Sequence, residues 1–384
     1  MAVSETVRSL LARLKALRKQ AGVTTAQMDE RLLIGPGWTE RFENGEVAPS
    51  IDLLVAMLNI LNVPPQDFFA AHDWDTASRV PREMWAEQAG KDLLIHFRYN
   101  DYDAEYRLKG ATLQQFEDVL RVLRSRLAGE ERNAGDAMQT DAVAETFLAT
   151  TRAWPTANPS DLWWFLVARA YCDPFNHPAA NAHRDFGQSW KRTGGWALEE
   201  VLVRHYGPFL RAKGVDIVVA KGEQKERLLG QLRVDRRLEA AKVDVLLTGA
   251  RRGQEVCFGV VHVKASFAER RTDDVPLSQT LIRAGYTSPL WTMDCKSSPS
   301  AHPLNRGELG VALDEGPDRR SNKRRDIEED GYFTACFSYN SRTAPTPADQ
   351  AARARVTVCD FRRPNDGFAR YVLSEWQRFT RREA

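Results

Sequence analysis

Cysteine is scarce and scattered. The five cysteines, Cys172, Cys257, Cys295, Cys336 and Cys359, are odd in number and far apart, and no two stand in a CxxC spacing. That excludes a zinc ribbon and a disulfide framework and fits a reducing cytoplasm. No apolar run approaches the ~18 residues of a membrane span, so no membrane role is expected. An excess of one charge is missing as well. The net charge is +2 over 384 residues, so a polyanionic partner would have to be met by local patches. No internal repeat is present. The basic, amphipathic stretch from Val7 to Gln20 mimics a transit peptide, yet a complete helical pattern follows it directly, and it reads as a domain's first helix. What remains is a chain 43% apolar and 28% charged. That is enough for ordinary cores and, at this length, for two or three domains.

Residues 1–72 read as an all-α unit. Leu10, Leu11, Leu14 and Leu17 recur at helical spacing, and Gly22 ends that helix. Thr24 or Thr25 caps a second helix through Met28 to Leu32. Gly35-Pro36-Gly37 turns the chain into a short third helix, Trp38 to Glu43, which Asn44-Gly45 stops. Pro49-Ser50 opens a fourth, Ile51 to Leu61. Residues 73–140 hold a small ββα element and a linker: strands from Asp92 to Tyr99 and Ala104 to Lys109, an amphipathic helix from Leu113 to Leu127, then the polar stretch Gly129 to Thr140. Residues 141–384 read as one large domain. Helices are expected at 141–152, 160–171, 195–212 and about 367–381, and strands at 215–220, 242–248, 255–264, 288–294, 332–339 and 354–361. Strands embedded among helices indicate an α/β domain.

Two of those strands each carry one charge within a β-branched run. Lys242-Val243-Asp244-Val245-Leu246-Leu247 holds Asp244, Val260-Val261-His262-Val263-Lys264 holds Lys264, and Gly249 to Gly253 supply the turn between them. Each charge alone could simply face water. Burying both at neighbouring strand ends is costly unless they meet something charged. A carboxylate, a lysine and a divalent cation at one sheet edge is what cutting a phosphodiester requires. Asp244 is the expected metal ligand and Lys264 the residue beside the attacking water, with Mg2+ as cofactor. His262, two residues before Lys264, cannot replace a carboxylate for a hard cation, so a second acid must come from elsewhere. Asp274 lies four residues before Ser278, on one face of a helix that includes both. Asp273 and Asp274 also suit a helix N-terminus for dipole reasons alone. Upstream, Gly194-Gly195-Trp196 opens a helix bearing Glu199, the further candidate, with Glu200 in reserve.

This pattern resembles the PD-(D/E)xK nuclease fold. More narrowly, residues 150–384 resemble the BsaWI-type restriction endonucleases of the CCGG-cutting group. The residues carrying the likeness are Gln188-Ser189-Trp190-Lys191, Gly195-Trp196-Ala197-Leu198-Glu199, Val243-Asp244, Val263-Lys264-Ala265-Ser266, Glu269-Arg270-Arg271 and Asp294-Cys295-Lys296-Ser297. The resemblance implies that the carboxylate missing before the lysine comes from the following helix. The family's helical glutamate falls near Ser278 here, and Asp274, one turn earlier, is expected to substitute. Asp216 rivals Asp244 for its role. The resemblance also implies that an acid/arginine cluster after the lysine reads C·G pairs. Arginine can bond guanine O6 and N7, and a carboxylate can accept from cytosine N4, so Glu269, Arg270 and Arg271 are the expected base readers. Arg320, Lys323 and Arg324, in a run that also reads as a flexible basic loop, are candidates for phosphate contact.

Residues 6–69 resemble the Xre/λ-repressor helix-turn-helix family through Leu14, Leu17 and Arg18, Gly22-Val23-Thr24, Phe42-Glu43-Asn44-Gly45, Pro49-Ser50, Leu53-Leu54 and Phe68. The recognition helix departs from that family, because it lacks the usual polar residues that reach base edges. Thr39 and Arg41 remain as candidate DNA contacts, and Trp38 reads better as a packing residue. The expectation is a type II restriction endonuclease making Mg2+-dependent double-strand cuts at a palindromic site containing CCGG. It would act as a homodimer or higher oligomer on double-stranded DNA. The competing reading is a helix-turn-helix transcription regulator whose large domain is a non-catalytic binding or dimerisation module.

Overall fold

The structure is a computed structural model and describes residues 5–47, 50–70, 82–99, 102–128, 135–177, 185–234, 242–266, 271–295, 304–310 and 321–382. The chain divides into two compact units, Met1–Pro81 and Arg82–Ala384.

Among its described residues the smaller unit holds five helices: α1 (Glu5–Gln20), α2 (Thr25–Arg31), α3 (Trp38–Glu43), α4 (Ile51–Ile60) and α5 (Pro65–Ala70). Leu11, Leu14, Met28, Phe42, Met57, Leu58 and Phe68 form its core. Thr24 caps α2 in a reciprocal box with Gln27. The turn into α3 uses Gly37 at φ +79°, which offers no side chain to cap the helix. Asp29 replaces that cap, accepting from Gly37 N at 2.7 Å and Thr39 N at 2.8 Å. A buried bidentate pair ties α1 to α3: Arg18 Nε and Nη2 reach the two Glu43 oxygens at 2.6 and 2.8 Å, and Arg18 Nη1 donates to Val23 O.

The larger unit begins with a three-stranded antiparallel sheet, β1 (Met84–Ala89), β2 (Asp92–Tyr99) and β3 (Tyr102–Leu108), followed by α6 (Leu113–Leu127). The strand Met84–Ala89 was absent from the ββα reading because its sequence, MWAEQA, has no β-branched residue. Its partner strand supplies the register, Met84 opposite Phe97 through Ala89 opposite Asp92. Leu93, Ile95, Phe97 and Phe116 belong to the same hydrophobic cluster as the helices and large sheet that follow.

Those elements are α7 (Gly135–Ala153), α8 (Pro159–Asp161), a π-helical stretch (Leu162–Val167), α9 (Ala168–Cys172), a short 3-10 turn (Pro174–Asn176), α10 (Phe186–Arg211), β4 (Val215–Val218), α11 (Gly222–Gly230), β5 (Val245–Arg251), β6 (Gln254–Lys264), α12 (Arg271–Arg283), β7 (Leu290–Thr292), α13 (Asn322–Glu328), β8 (Cys336–Ser338), β9 (Val356–Val358) and α14 (Gly367–Arg382). The long helix starts nine residues before the expected 195. Asp185 caps it, accepting from Gln188 N at 3.0 Å. Gly194 does not break it, because a β-carbon there would stand 3.1 Å from the Trp190 ring, so the glycine makes room for the indole. The six-stranded sheet runs β4-β5-β6-β7-β8-β9, antiparallel through β6 and parallel beyond. Alternation sorts its side chains between two cores. Val245, Leu247, Val261 and Val263 pack with α7, α10 and α14, while Leu246 and Val260 pack with Leu228 of α11 and Leu277 and Leu281 of α12.

Removing one partner of the α1–α3 pair strands a buried charge, which costs about 3–5 kcal/mol. Small domains hold only about 5–15 kcal/mol in total. In the full-length chain, Glu43→Ala is therefore expected to expose the helical unit to protease and to delete its thermal transition. The melting of the larger unit should stay unchanged. Wild-type protease resistance in the variant would refute this.

Candidate active site

The β5–β6 register pairs Val245 with Val261, and continuing it would pair Asp244 with His262 and then Val243 with Val263. The ladder is opened there and its freed groups find new partners. Asp244 Oδ2 accepts from Val263 N at 3.0 Å and from Lys264 Nζ at 2.6 Å. Lys225 Nζ of α11 takes the Val243 carbonyl at 2.6 Å. Asp244 therefore sits just before its strand rather than within it, and its side chain is only 9% exposed. His262 and Lys264 share the face of β6 that bears Val260, and that face looks toward α12. Asp274, on α12, brings Oδ1 to 3.5 Å from Lys264 Nζ and 3.6 Å from His262 Nδ1. Burial pushes the Asp274 carboxyl up, but His262 and the Lys264 ammonium outweigh it and hold the group below the ordinary carboxylate range.

Two buried atoms here lack a hydrogen-bond partner among the described residues: Asp274 Oδ2 and His262 Nδ1. The other ring nitrogen, His262 Nε2, lies 2.9 Å from Ser288 Oγ. Ligand atoms of Asp244, His262 and Asp274 all lie within 4.8 Å of one another. Two carboxylates, one with an orphaned buried oxygen, form a donor set that fits a divalent cation.

Glu199 of α10 lines the same cleft as Asp244 and Lys264. Burial, then the Asp244 charge, pushes its carboxyl up to about 8, against the opposing pull of Lys264 and Lys225. The alternatives are each held by a basic partner, Glu200 within the same cleft. Asp216 is held by Arg211 Nε and Nη2 at 3.1 Å each, Glu200 by Arg204 at 3.4 Å, and Asp273 by Lys242 at 3.4 Å. The cleft, about 1590 Å³, continues from the acids along α10 past Lys191, Arg192 and Trp196.

Two of the expected DNA contacts are corrected by burial. Thr39 is fully buried and its backbone is bound by Asp29, so its hydroxyl reaches no base. Arg324, expected in a basic loop, lies on α13. It bridges to Glu328 at 2.9 Å and donates to the Ala344 carbonyl, stapling the fold. Arg41 is exposed, with Glu46 at 3.8 Å. Trp38 stacks on Phe42 at 5.3 Å, as a packing residue should. Lys323 pairs with Glu308 at 2.6 Å, and Glu308 lines the cleft. Asp294 anchors the loop bearing Glu308, accepting from Glu308 N at 2.6 Å and Leu309 N at 3.1 Å. Glu269, Arg270 and Arg320 lie outside the described residues, and of Arg271 only the backbone, at the start of α12, is described. Lys225 and Ser288 went unnoticed in the sequence, where neither belongs to a motif. No described helix is long and apolar enough to cross a membrane.

A mixed sheet flanked by helices thus brings two carboxylates and a lysine together at a strand end, an arrangement compatible with a restriction endonuclease. Comparison with known proteins narrows this. The type II restriction enzyme AgeI of Thalassovita gelatinovora is 39% identical over 243 residues, 61% of this chain and 84% of that one. The crystal structure of a specific AgeI–DNA complex superposes with a TM-score of 0.62 at 31% identity, covering 76% of this chain and 99% of that one. This chain belongs to the AgeI family of type II restriction endonucleases, which favours the enzyme reading over the regulator. A pre-specific BsaWI–DNA complex aligns at 14% identity and a TM-score of 0.35, over 70% of this chain and 94% of that one. A helix-turn-helix domain model matches residues 9–68.

Glu199 also gives a pH dependence. Its folded value of about 8 exceeds the ordinary 4.5, so between those limits the folded chain keeps a proton that the unfolded chain has lost. Its contribution is fully present below pH 4.5 and is lost as pH rises through 8. In cation-free buffer, Glu199→Gln should flatten the fall in the larger unit's melting temperature between pH 5 and 8.5. Parallel profiles for variant and wild type would contradict the assignment.

Proposed function

We propose that the larger unit is a PD-(D/E)xK nuclease that cuts both strands of DNA at a palindromic site containing CCGG, with Mg2+ as cofactor. The observation supporting this most directly is the convergence of Asp244, Lys264 and Asp274, from two strand ends and one helix, in a chain of the AgeI family. Asp244 and Asp274 hold the cation, and Glu199 closes the site from α10. When bound, the cation polarises the scissile phosphate and stabilises charge developing on its oxygens. Lys264 keeps an ammonium group beside Asp244, where it orients the attacking water and meets the growing negative charge on phosphorus. Water adds to phosphorus in line, the bond to one ester oxygen breaks, and that oxygen leaves with a proton.

Glu269, Arg270 and Arg271, which begin five residues after the catalytic lysine, read the C·G pairs by paired hydrogen bonds. Lys191 and Arg192, along the cleft, and Lys323, at its Glu308 edge, lie along the path of the sugar–phosphate backbone. A two-fold symmetric site calls for two copies of the chain. The smaller unit is an additional DNA anchor, with Arg41 among its exposed cations.

The deciding experiment is digestion of plasmid DNA by purified protein with Mg2+. Wild type is expected to give discrete bands. Losing the cation or the lysine removes several kcal/mol of transition-state stabilisation, so Asp244→Ala, Lys264→Ala and Asp274→Ala should each slow cleavage by on the order of 10³-fold or more. Sequence-specific binding without any cleavage, in Mg2+ and in Mn2+, would return the regulator reading. Undiminished cleavage in the variants would reject the residue roles.

A further inference from the structure

His262 occupies a position that the nuclease reading leaves without a task. Its ring is fully buried, edge-on to Phe333 at 5.3 Å. It shares a strand face with Lys264, two residues away. Nε2 has Ser288 Oγ at 2.9 Å, while Nδ1 points at Asp274 Oδ1 from 3.6 Å, too far for a hydrogen bond, and finds no other partner among the described residues. Asp274 Oδ2 is equally unpartnered. Leaving both atoms buried and unmatched is costly; a proton on Nδ1 shared with the carboxylate, or a cation accepting lone pairs from both side chains, would offset that cost. Metal-bound histidines have this arrangement: one ring nitrogen is fixed by an outer hydrogen bond, which sets the tautomer, and the other is presented to the ion. With Nε2–H donating to Ser288, Nδ1 presents its lone pair 3.6 Å from Asp274 Oδ1, and a ring nitrogen of His262 lies within 4.8 Å of a carboxylate oxygen from each of Asp244 and Asp274.

We propose that His262 Nδ1 is a ligand of the cation held by Asp244 and Asp274. The site is then a mixed oxygen–nitrogen site that favours borderline ions such as Mn2+ more strongly than an all-oxygen site would. This rests on the nuclease reading for where the cation sits. Imidazole suits transition ions, whereas Mg2+ prefers oxygen. Two carboxylates still admit Mg2+, so the nitrogen alters preference rather than excluding the hard ion. Ser288 is the positioning residue that holds the ring.

The test is pulsed electron paramagnetic resonance of Mn2+ on the full-length protein without DNA. Wild type is expected to show nitrogen-14 coupling from a directly bound imidazole, changing to the nitrogen-15 pattern when histidine is so labelled. The coupling should vanish in His262→Phe, with Mn2+ affinity falling by roughly tenfold or more. His262→Asp should bind the ion without nitrogen coupling, and its ratio of Mg2+ to Mn2+ affinity should rise by about tenfold. The wild-type labelling result stands even if the Phe variant does not fold. Mn2+ bound without nitrogen coupling, coupling that persists in folded His262→Phe, or no Mn2+ binding would each overturn the proposal. Plasmid cleavage separates the two readings. Cleavage without nitrogen coupling defeats only the ligand role, and coupling without cleavage defeats only the nuclease.

Discussion

An ammonium group and a carboxylate 2.6 Å apart, both about nine-tenths buried, set the constraint the rest of the larger unit answers. Such a pair gains little net stability, because removing two ions from water offsets their attraction. Its surroundings show how the cost is contained. The β5–β6 ladder stops at Val245 and Val261, Asp244 accepts from the Val263 N–H beyond it, and Lys225 takes the Val243 carbonyl. Asp274 approaches the same ammonium from α12. Among the described residues the group still leaves Asp274 Oδ2 without a hydrogen-bond partner. Hydrophobic residues of similar volume would fold at least as well, so stability alone does not account for these charges.

Two rigid walls frame that group. On one side α10 runs unbroken past Gly194 and carries Glu199 to the cleft. On the other, Leu277 and Leu281 seat α12 against Leu246 and Val260. The helical unit at the N-terminus has its own core and its own buried ion pair, Arg18 with Glu43. Its third helix has Thr39 turned inward, so fewer polar groups are left to read bases.

Much of this was legible in the chain, for reasons that differ by residue. Asp244 and Lys264 stand out because charge inside a β-branched run is costly and therefore conspicuous. Asp274 is reached only through the resemblance, which implies an acid near Ser278, one helical turn later; α12 includes both positions. The helical core of the smaller unit follows from leucine spacing. Other features depend on contacts between distant segments. Lys225 lies on a helix with no marked signature, and it matters only because Val243 lost its strand partner. Thr39 and Arg324 look like surface polar residues until Asp29 and the Ala344 carbonyl claim them. The start of α10 was misplaced because Gly194-Gly195 reads as a break, whereas the first glycine accommodates an indole. The missing β1 shows the reverse: a strand can form without favourable residues when its neighbour offers a complete register.

Pro276 lies inside α12, two residues after Asp274. Lacking an N–H, it leaves the Thr272 carbonyl without its helical bond, so the turn carrying Asp274 is tethered less tightly than the turns that carry Leu277 and Leu281. Asp244, by contrast, is locked to a strand by backbone and lysine together. The two carboxylates are thus held unequally, one fixed to a strand and the other on a helical turn short of one backbone bond.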